Sequence, residues 1–300
     1  MEERICYFNG EYIRESEAKI SITDWGLRVG GVYDIARTYN HVPFRLKEHI
    51  DRLFNSLRCV PFIRLSLTPK EVNDITLELL KRNENYLDPE DDYRIVYRVT
   101  RGTFYIHMSP FSPEEEWGGG FKYMAKLYQE GAHLVVVNTR QIPPQCLDPK
   151  IKHTNRLCNS LADYEAKMVD PEAVALMLDI NGFAAECPIF GFFMVKDGKL
   201  LTSRLTNCLP GITRQVVLEL ARELKIESSE TDLCVYDLYN ADEIMLTATS
   251  FAIAPVSKFN ERILPTPIPG TITKQLQSAF SKKAHYDIVQ RVLDYVQTKG

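Results

Sequence analysis

PKIKHTNRLCNSLADYEA, residues 149–166, opens on a loop proline and then sets a lysine, Lys152, at the head of a run of helical composition. A lysine beside a helix start is ordinarily a solvated charge. An amine held at the edge of a partly desolvated cleft is different: its pKa is lowered, and it becomes a nucleophile toward an aldehyde. The stretch alone allows both accounts, so the flanking sequence has to choose.

Toward the C-terminus, AVALMLDINGFAAE and FFMVKDGKLLTS read as hairpins turning at Asn181-Gly182 and Asp197-Gly198, pairs that tolerate the positive φ of a two-residue turn. LPGITRQVVLELARELKI is a loop feeding a helix whose Val217, Leu220 and Leu224 form one stripe. ADEIMLTATSFAIAPV is a buried strand that breaks into small hydroxyl residues, with a last strand behind it. PGTITKQLQSAF starts a helix, and residues 283–298 predict a C-terminal one carrying Ile288, Val289, Val292 and Val296. Toward the N-terminus, CYFNGEYI holds a hairpin at Asn9-Gly10, VYDIARTYN is a strand, and Ile50, Leu53, Phe54, Leu57 and Val60 fall at helical spacing. Thr68-Pro69-Lys70-Glu71 announces a further helix by an N-cap hydroxyl, a first-position proline and a carboxylate at the third position. YRIVYRVTRG follows as a strand. SPFSPEEEWGGGFK, residues 109–122, concentrates proline, glycine and charge and reads as a loop. The pattern predicts α+β in two domains, residues 1–120 and 133–300, joined by a linker at 121–132. There is no internal repeat.

Composition narrows the partners. The chain has 300 residues, 45% hydrophobic and 25% charged, with a formal net charge of -4. That balance gives no electrostatic reason to expect nucleic acid or an anionic membrane, which leaves small molecules or proteins. The N-terminus lacks the basic start and apolar core of a secretory signal, and no apolar run reaches bilayer length. The seven cysteines are scattered, without metal-ligand spacing, so no metal site is expected. A cytoplasmic protein with reduced thiols is the expectation.

Several segments could carry chemistry. LPGITR, residues 209–214, would leave the Ile212 and Thr213 N–H groups at a helix start, a ready phosphate site, although Thr213 could equally cap its own first turn. LTATSF, residues 246–251, crowds Thr249 and Ser250 at a strand end, either to bind phosphate oxygens or simply to pack closely. Glu186 sits among small and apolar residues, as a paired structural acid or as the counter-charge of a bound cation. Arg52 follows Glu48 by one helical turn, so it is either an intrahelical ion pair or an arginine reaching a phosphate.

Together these segments resemble the class IV aminotransferases of pyridoxal phosphate fold type IV. That family includes branched-chain and D-amino acid aminotransferases, (R)-selective amine transaminases and aminodeoxychorismate lyase. The resemblance runs from YFNGEYI to TKQLQSAF, and its specific part is the ordered set IKHTNRL, DINGFAAE, VKDGKLLT, LPGITR and ADEIMLTATS. It implies a two-domain D-amino acid aminotransferase-like fold with pyridoxal 5'-phosphate in the interdomain cleft, and a homodimer. It further implies that Lys152 is the Schiff-base lysine and proton shuttle and that Glu186 keeps the pyridine nitrogen protonated. Arg52, Ile212, Thr213, Thr249 and Ser250 would hold the phosphate.

The chain departs from the family pattern at CPIFGF, where many relatives are rich in Gly and Ser, and at LRVGGVYDIAR, where branched-chain enzymes carry YGxxVFEGIR. Tyr33 and Asp34 resemble the aromatic-acidic pair of the D-amino acid and (R)-amine groups. Arg28, Tyr33, Arg37 and His107 are the candidate substrate residues. The expectation is a D-amino acid or (R)-amine donor with an α-keto acid acceptor, and the alternatives are a branched-chain L-amino acid aminotransferase, the lyase, or an inactive binding homologue.

Overall fold

The computed structural model describes residues 3–86, 91–111, 120–265 and 267–299. The chain divides into two compact units, Met1–Phe111 with Ile151–Asn155, and Ser112–Lys150 with Arg156–Gly300.

In the first unit β1 (Ile5–Phe8) and β2 (Glu11–Arg14) turn at Asn9 and Gly10, both at positive φ, as their residue types require. A four-residue helix, α1 (Gly26–Val29), precedes β3 (Val32–Tyr39) and the short β4 (Val42–Pro43). Two helices follow, α2 (Leu46–Cys59) and α3 (Pro69–Arg82), and then β5 (Tyr93–Val99) and β6 (Phe104–Pro110). The six strands form one sheet in the order β2-β1-β6-β5-β3-β4. Alternation along each strand sends Val32, Ala36, Ile95, Tyr97, Ile106 and Met108 to one face, where they meet Ile50 and Leu53 of α2 and Val72 and Leu79 of α3. Each such aliphatic side chain contributes about 1.5–3 kcal/mol when fully buried. The Thr68 cap forms as its sequence predicts: its hydroxyl accepts the Glu71 N–H, and the Glu71 carboxylate accepts the Thr68 N–H at 2.7 Å.

The second unit begins with α4 (Phe121–Glu130), β7 (Ala132–Val136) and α5 (Leu157–Val169). Then come β8 (Val174–Leu178), β9 (Ala184–Glu186), β10 (Gly191–Lys196) and β11 (Lys199–Ser203). After α6 (Ile212–Glu223), β12 (Ser228–Thr231) and α7 (Val235–Tyr239) come β13 (Glu243–Ala248), β14 (Ala252–Phe259) and β15 (Arg262–Ile263). α8 (Thr271–Ala284) and α9 (Gln290–Lys299) close the chain. The main path of the sheet is β12-β11-β10-β13-β14-β7-β8-β9, with β15 on β14. Parallel pairs (β7 with β8 and with β14, β11 with β12) mix with antiparallel hairpins. The sheet curls until its last strand meets an early one, the Ser203 hydroxyl of β11 donating to the Ala185 carbonyl of β9 at 2.6 Å. Among the described residues, no helix is long and apolar enough to cross a membrane.

The structure differs from the predicted layout in three places, and a fourth expectation falls largely outside the described residues. The linker expected at 121–132 is the helix α4, whose Phe121, Met124, Ala125 and Tyr128 recur at helical spacing and are buried. Residues 151–155, expected within a C-terminal domain, belong to the first unit. The helix expected over 283–298 is interrupted, because His285 takes a left-handed φ of 50° and ends α8, and the Asp287 carboxylate caps the next start at Gln290 (2.9 Å). The loop expected over 109–122 lies outside the described residues at 112–119, and its first residues extend β6.

Candidate active site

Lys152 is positioned by backbone pairing. Residues 152–154 run antiparallel along the start of β3: the Tyr33 N–H donates to the Lys152 carbonyl (3.0 Å), Val32 bridges His153, and the Thr154 N–H donates to the Gly31 carbonyl (2.8 Å). The Gly31 N–H donates in turn to the Thr154 hydroxyl (2.6 Å). Only a residue without a Cβ fits here, since a Cβ on Gly31 would lie 2.4 Å from the Val99 carbonyl oxygen. From the other side the Lys152 N–H donates to the Ser56 hydroxyl of α2 at 3.0 Å. Thus held, the lysine places its Nζ 4.4 Å from the centroid of the Tyr33 ring, a cation on a π-face.

The helix that contributes Ser56 carries two more polar residues on its buried side, His49 and Arg52, at spacings that bring all three onto one face. Arg52 donates to both oxygens of Asp34 on β3 (2.8 Å each), and His49 Nδ1 lies 2.7 Å from the same carboxylate. Asp34 is fully buried. Burial pushes its carboxyl up, but the Arg52 guanidinium and the hydrogen bonds from His49 and Arg52 outweigh that and hold it well below the usual carboxylate range. His49 goes down, chiefly through burial, with the Asp34 carboxylate opposing and the Arg52 and Lys152 charges assisting. Glu48, the other partner considered for Arg52, pairs with Arg45 at 2.7 Å.

The second unit carries the remaining candidates. Glu186 ends β9 and accepts from the Gln141 side-chain amide and from the Leu209 N–H (3.1 Å). That second bond fastens the LPG loop, so Glu186 and the start of α6 are placed by one another. α6 begins at Ile212 after Gly211, and no side chain among the described residues caps it, which leaves the first N–H groups, those of Ile212 and Thr213, open to an anion. Thr249 and Ser250 form the turn between β13 and β14. Two thiols flank this region. Burial first, and the Glu186 charge second, push Cys187 and Cys208 up, Cys208 to about 12, so neither is a thiolate at neutral pH.

In the first unit an amine on a short pinned strand and a buried arginine, and in the second an uncapped helix start with a carboxylate beside it, are each of the chemistry that the aldehyde, phosphate and ring nitrogen of pyridoxal phosphate call for. Residues 31–259 match the family described as amino-transferase class IV. The chain belongs to the class IV aminotransferases. A Methanocaldococcus jannaschii protein provisionally named branched-chain-amino-acid aminotransferase is 36% identical over 279 residues, covering 91% of this chain and 94% of its own. A D-alanine aminotransferase of Staphylococcus epidermidis is 32% identical over 282 residues, covering 92% and 96%. The solved branched-chain amino acid aminotransferase of Escherichia coli superposes with a TM-score of 0.83 at 27% identity, covering 94% of each chain. The α+β fold is that of fold type IV, and the chain is a pyridoxal-phosphate-dependent enzyme.

This aminotransferase distributes its predicted substrate residues unevenly. Tyr33 lies beside the Lys152 amine. Arg37 is buried, with its guanidinium 4.2 Å and 4.4 Å from the Tyr39 and Phe111 ring centroids and 3.6 Å from Asp92, so it serves the interior of its own unit. Arg28 is exposed on α1, 5.4 Å from the Trp25 ring centroid. His107 stands on β6 with its Nδ1 3.6 Å from Glu15. Sequence reasoning missed Gln141, His49 and Ser56. The last two carried a signal, polar residues one turn to either side of Arg52 next to an apolar stripe.

Proposed function

We propose that this aminotransferase moves the amino group of a branched-chain L-amino acid to an α-keto acid. What supports that donor over a D-amino acid or (R)-amine is the fate of Asp34. The acid of the Tyr33-Asp34 pair is spent on Arg52 and His49 on the helix-packed side of the sheet, so it does not mark a substrate group. The Methanocaldococcus and Escherichia coli relatives carry branched-chain names. The Staphylococcus relative keeps D-alanine as the second reading.

When bound, pyridoxal phosphate supplies an aldehyde that takes the amino group and a ring that accepts electrons from the substrate carbon. Lys152 would attach it and then carry the proton to and from the substrate α-carbon, a role that needs an amine on a fixed backbone. Glu186, oriented by Gln141 and the Leu209 N–H, would keep a proton on the pyridine nitrogen. Arg52, the Ile212 and Thr213 amides, Thr249 and Ser250 would hold the phosphate.

The proposal extends to a homodimer in the cytoplasm. Supporting the dimer, α5 exposes Leu157, Leu161, Tyr164 and Met168, at 75%, 52%, 64% and 70% exposure, along one face, an apolar strip that a second copy of this chain would cover. The free cysteines are in keeping with a reducing compartment.

The test is a visible spectrum with added pyridoxal phosphate, together with initial rates. A cofactor band present in the wild type and absent in Lys152→Ala, with L-leucine turned over faster than D-alanine against 2-oxoglutarate, is the expected result. Faster turnover of D-alanine would overturn the donor assignment and leave the cofactor chemistry standing.

A further inference from the structure

The turn between β13 and β14 closes on the paired residues Ala248 and Ala252, with Thr249, Ser250 and Phe251 bridging them. Ala252 stands at a φ of 58°, in the left-handed region that glycine enters freely and alanine does not. The residues of the turn therefore do not select its shape by themselves. Contacts from elsewhere in the second unit have to impose it.

Those contacts converge on Phe251. Its ring is buried and meets the Phe190 ring edge-on, with the centroids 4.9 Å apart. Its carbonyl accepts a hydrogen bond from the Tyr128 hydroxyl of α4, 123 residues earlier in the chain. Tyr128 is buried, and the helix that carries it is fastened to α9 through the Phe121 and Tyr295 rings. Two residues beyond Phe251, the Gln277 side-chain amide of α8 donates to the Ile253 carbonyl at 3.1 Å. α4 and α8 thus grip the entry to β14 immediately after the two hydroxyl residues.

We propose that Tyr128 is a positioning residue for the cofactor phosphate: through the Phe251 carbonyl its hydroxyl holds Thr249 and Ser250 in the binding conformation before the phosphate arrives. The inference rests on the phosphate role proposed above for Thr249 and Ser250 and names the side chain that prepares the turn for it. A turn ordered only by its ligand would lose part of the binding energy to that ordering. Tyr128 acts on the phosphate only through the turn, so its loss should weaken ligands that carry a phosphate and spare those that do not.

The experiment uses the full chain freed of cofactor. Affinities for pyridoxal 5'-phosphate and for pyridoxal, the same aldehyde without the phosphate, are read from the visible band, and inorganic phosphate is tested for protection against thermal unfolding. Tyr128→Phe keeps the ring and removes only the donor. The expected result is about tenfold weaker affinity for pyridoxal phosphate, the size of one hydrogen bond, with pyridoxal within about twofold of wild type and the phosphate protection reduced. Adding Ala252→Gly, which lets the turn take its shape unaided, should recover most of the loss. Equal losses for the two aldehydes, no loss with either, or a double variant no better than Tyr128→Phe would each overturn the proposal. Thr249→Ala combined with Ser250→Ala separates it from the reading beneath it. A phosphate-specific loss there, with none in Tyr128→Phe, sinks the role of Tyr128 alone; no loss there removes the turn from the phosphate site, and Tyr128 with it.

Discussion

Asp34 shows how far one side chain can change a reading. In the sequence it sits beside Tyr33 and looks like half of a recognition pair; in the structure alternation along β3 turns it to the opposite face, where it neutralises Arg52 and orients His49. The depressed pKa means that its ionised form stabilises the fold above about pH 3.8, a contribution lost as pH falls through the lower folded value. Asp34→Asn leaves the buried Arg52 charge uncompensated, and the expected cost is about 3–5 kcal/mol in urea denaturation at pH 7. The two proteins should approach equal stability only in strong acid; equal midpoints at pH 7 would show that the pair contributes nothing net. The roles proposed for Lys152 and Glu186 were legible from their place in an ordered set of motifs. His49 and Ser56 were not, because their partners, Asp34 and the Lys152 backbone, are distant in sequence and only folding brings them together.

Among the elements, α2 and the short strand 152–154 matter most. The helix joins Asp34 through Arg52 to the Lys152 backbone through Ser56, so one rigid rod sets the position of both cationic side chains. The strand depends on Gly31. For Gly31→Ala, a methyl 2.4 Å from the Val99 carbonyl must push the start of β3 off β5, and the Thr154 bonds go with it. We expect a loss of roughly 1–3 kcal/mol by thermal or urea unfolding and weaker retention of pyridoxal phosphate on dialysis. Unchanged retention would show that Lys152 does not depend on this pairing. The hairpins at Asn9-Gly10 and Asp197-Gly198 and the Thr68 cap formed as their residues indicated, because each is decided within a few neighbouring residues. The break before α9 was hidden because the apolar period of residues 283–298 runs on through it, while His285 turns left-handed and Asp287 starts a new helix.

For the molecule as a whole, the apolar strip on α5 predicts its state of assembly. Replacing Leu161 and Tyr164 together by lysine should convert a dimer to a monomer by light scattering without unfolding the subunit, since both side chains are exposed within it. A dimer that survives the change would place the contact on another surface. α9 answers a question left open by its sequence: its apolar stripe packs on α4 of the same chain, with the Phe121 and Tyr295 ring centroids 4.2 Å apart. Local order along the chain was enough to settle the α+β class, most hairpins and helix starts, and, through ordered motifs, the family and its cofactor, because turn propensity, periodicity and motif spacing are short-range properties. Folding decided which unit holds Lys152 and what Asp34 faces. Each of these depends on strand register and on contacts between residues far apart in the chain, and neither leaves a trace in the linear spacing of residue types.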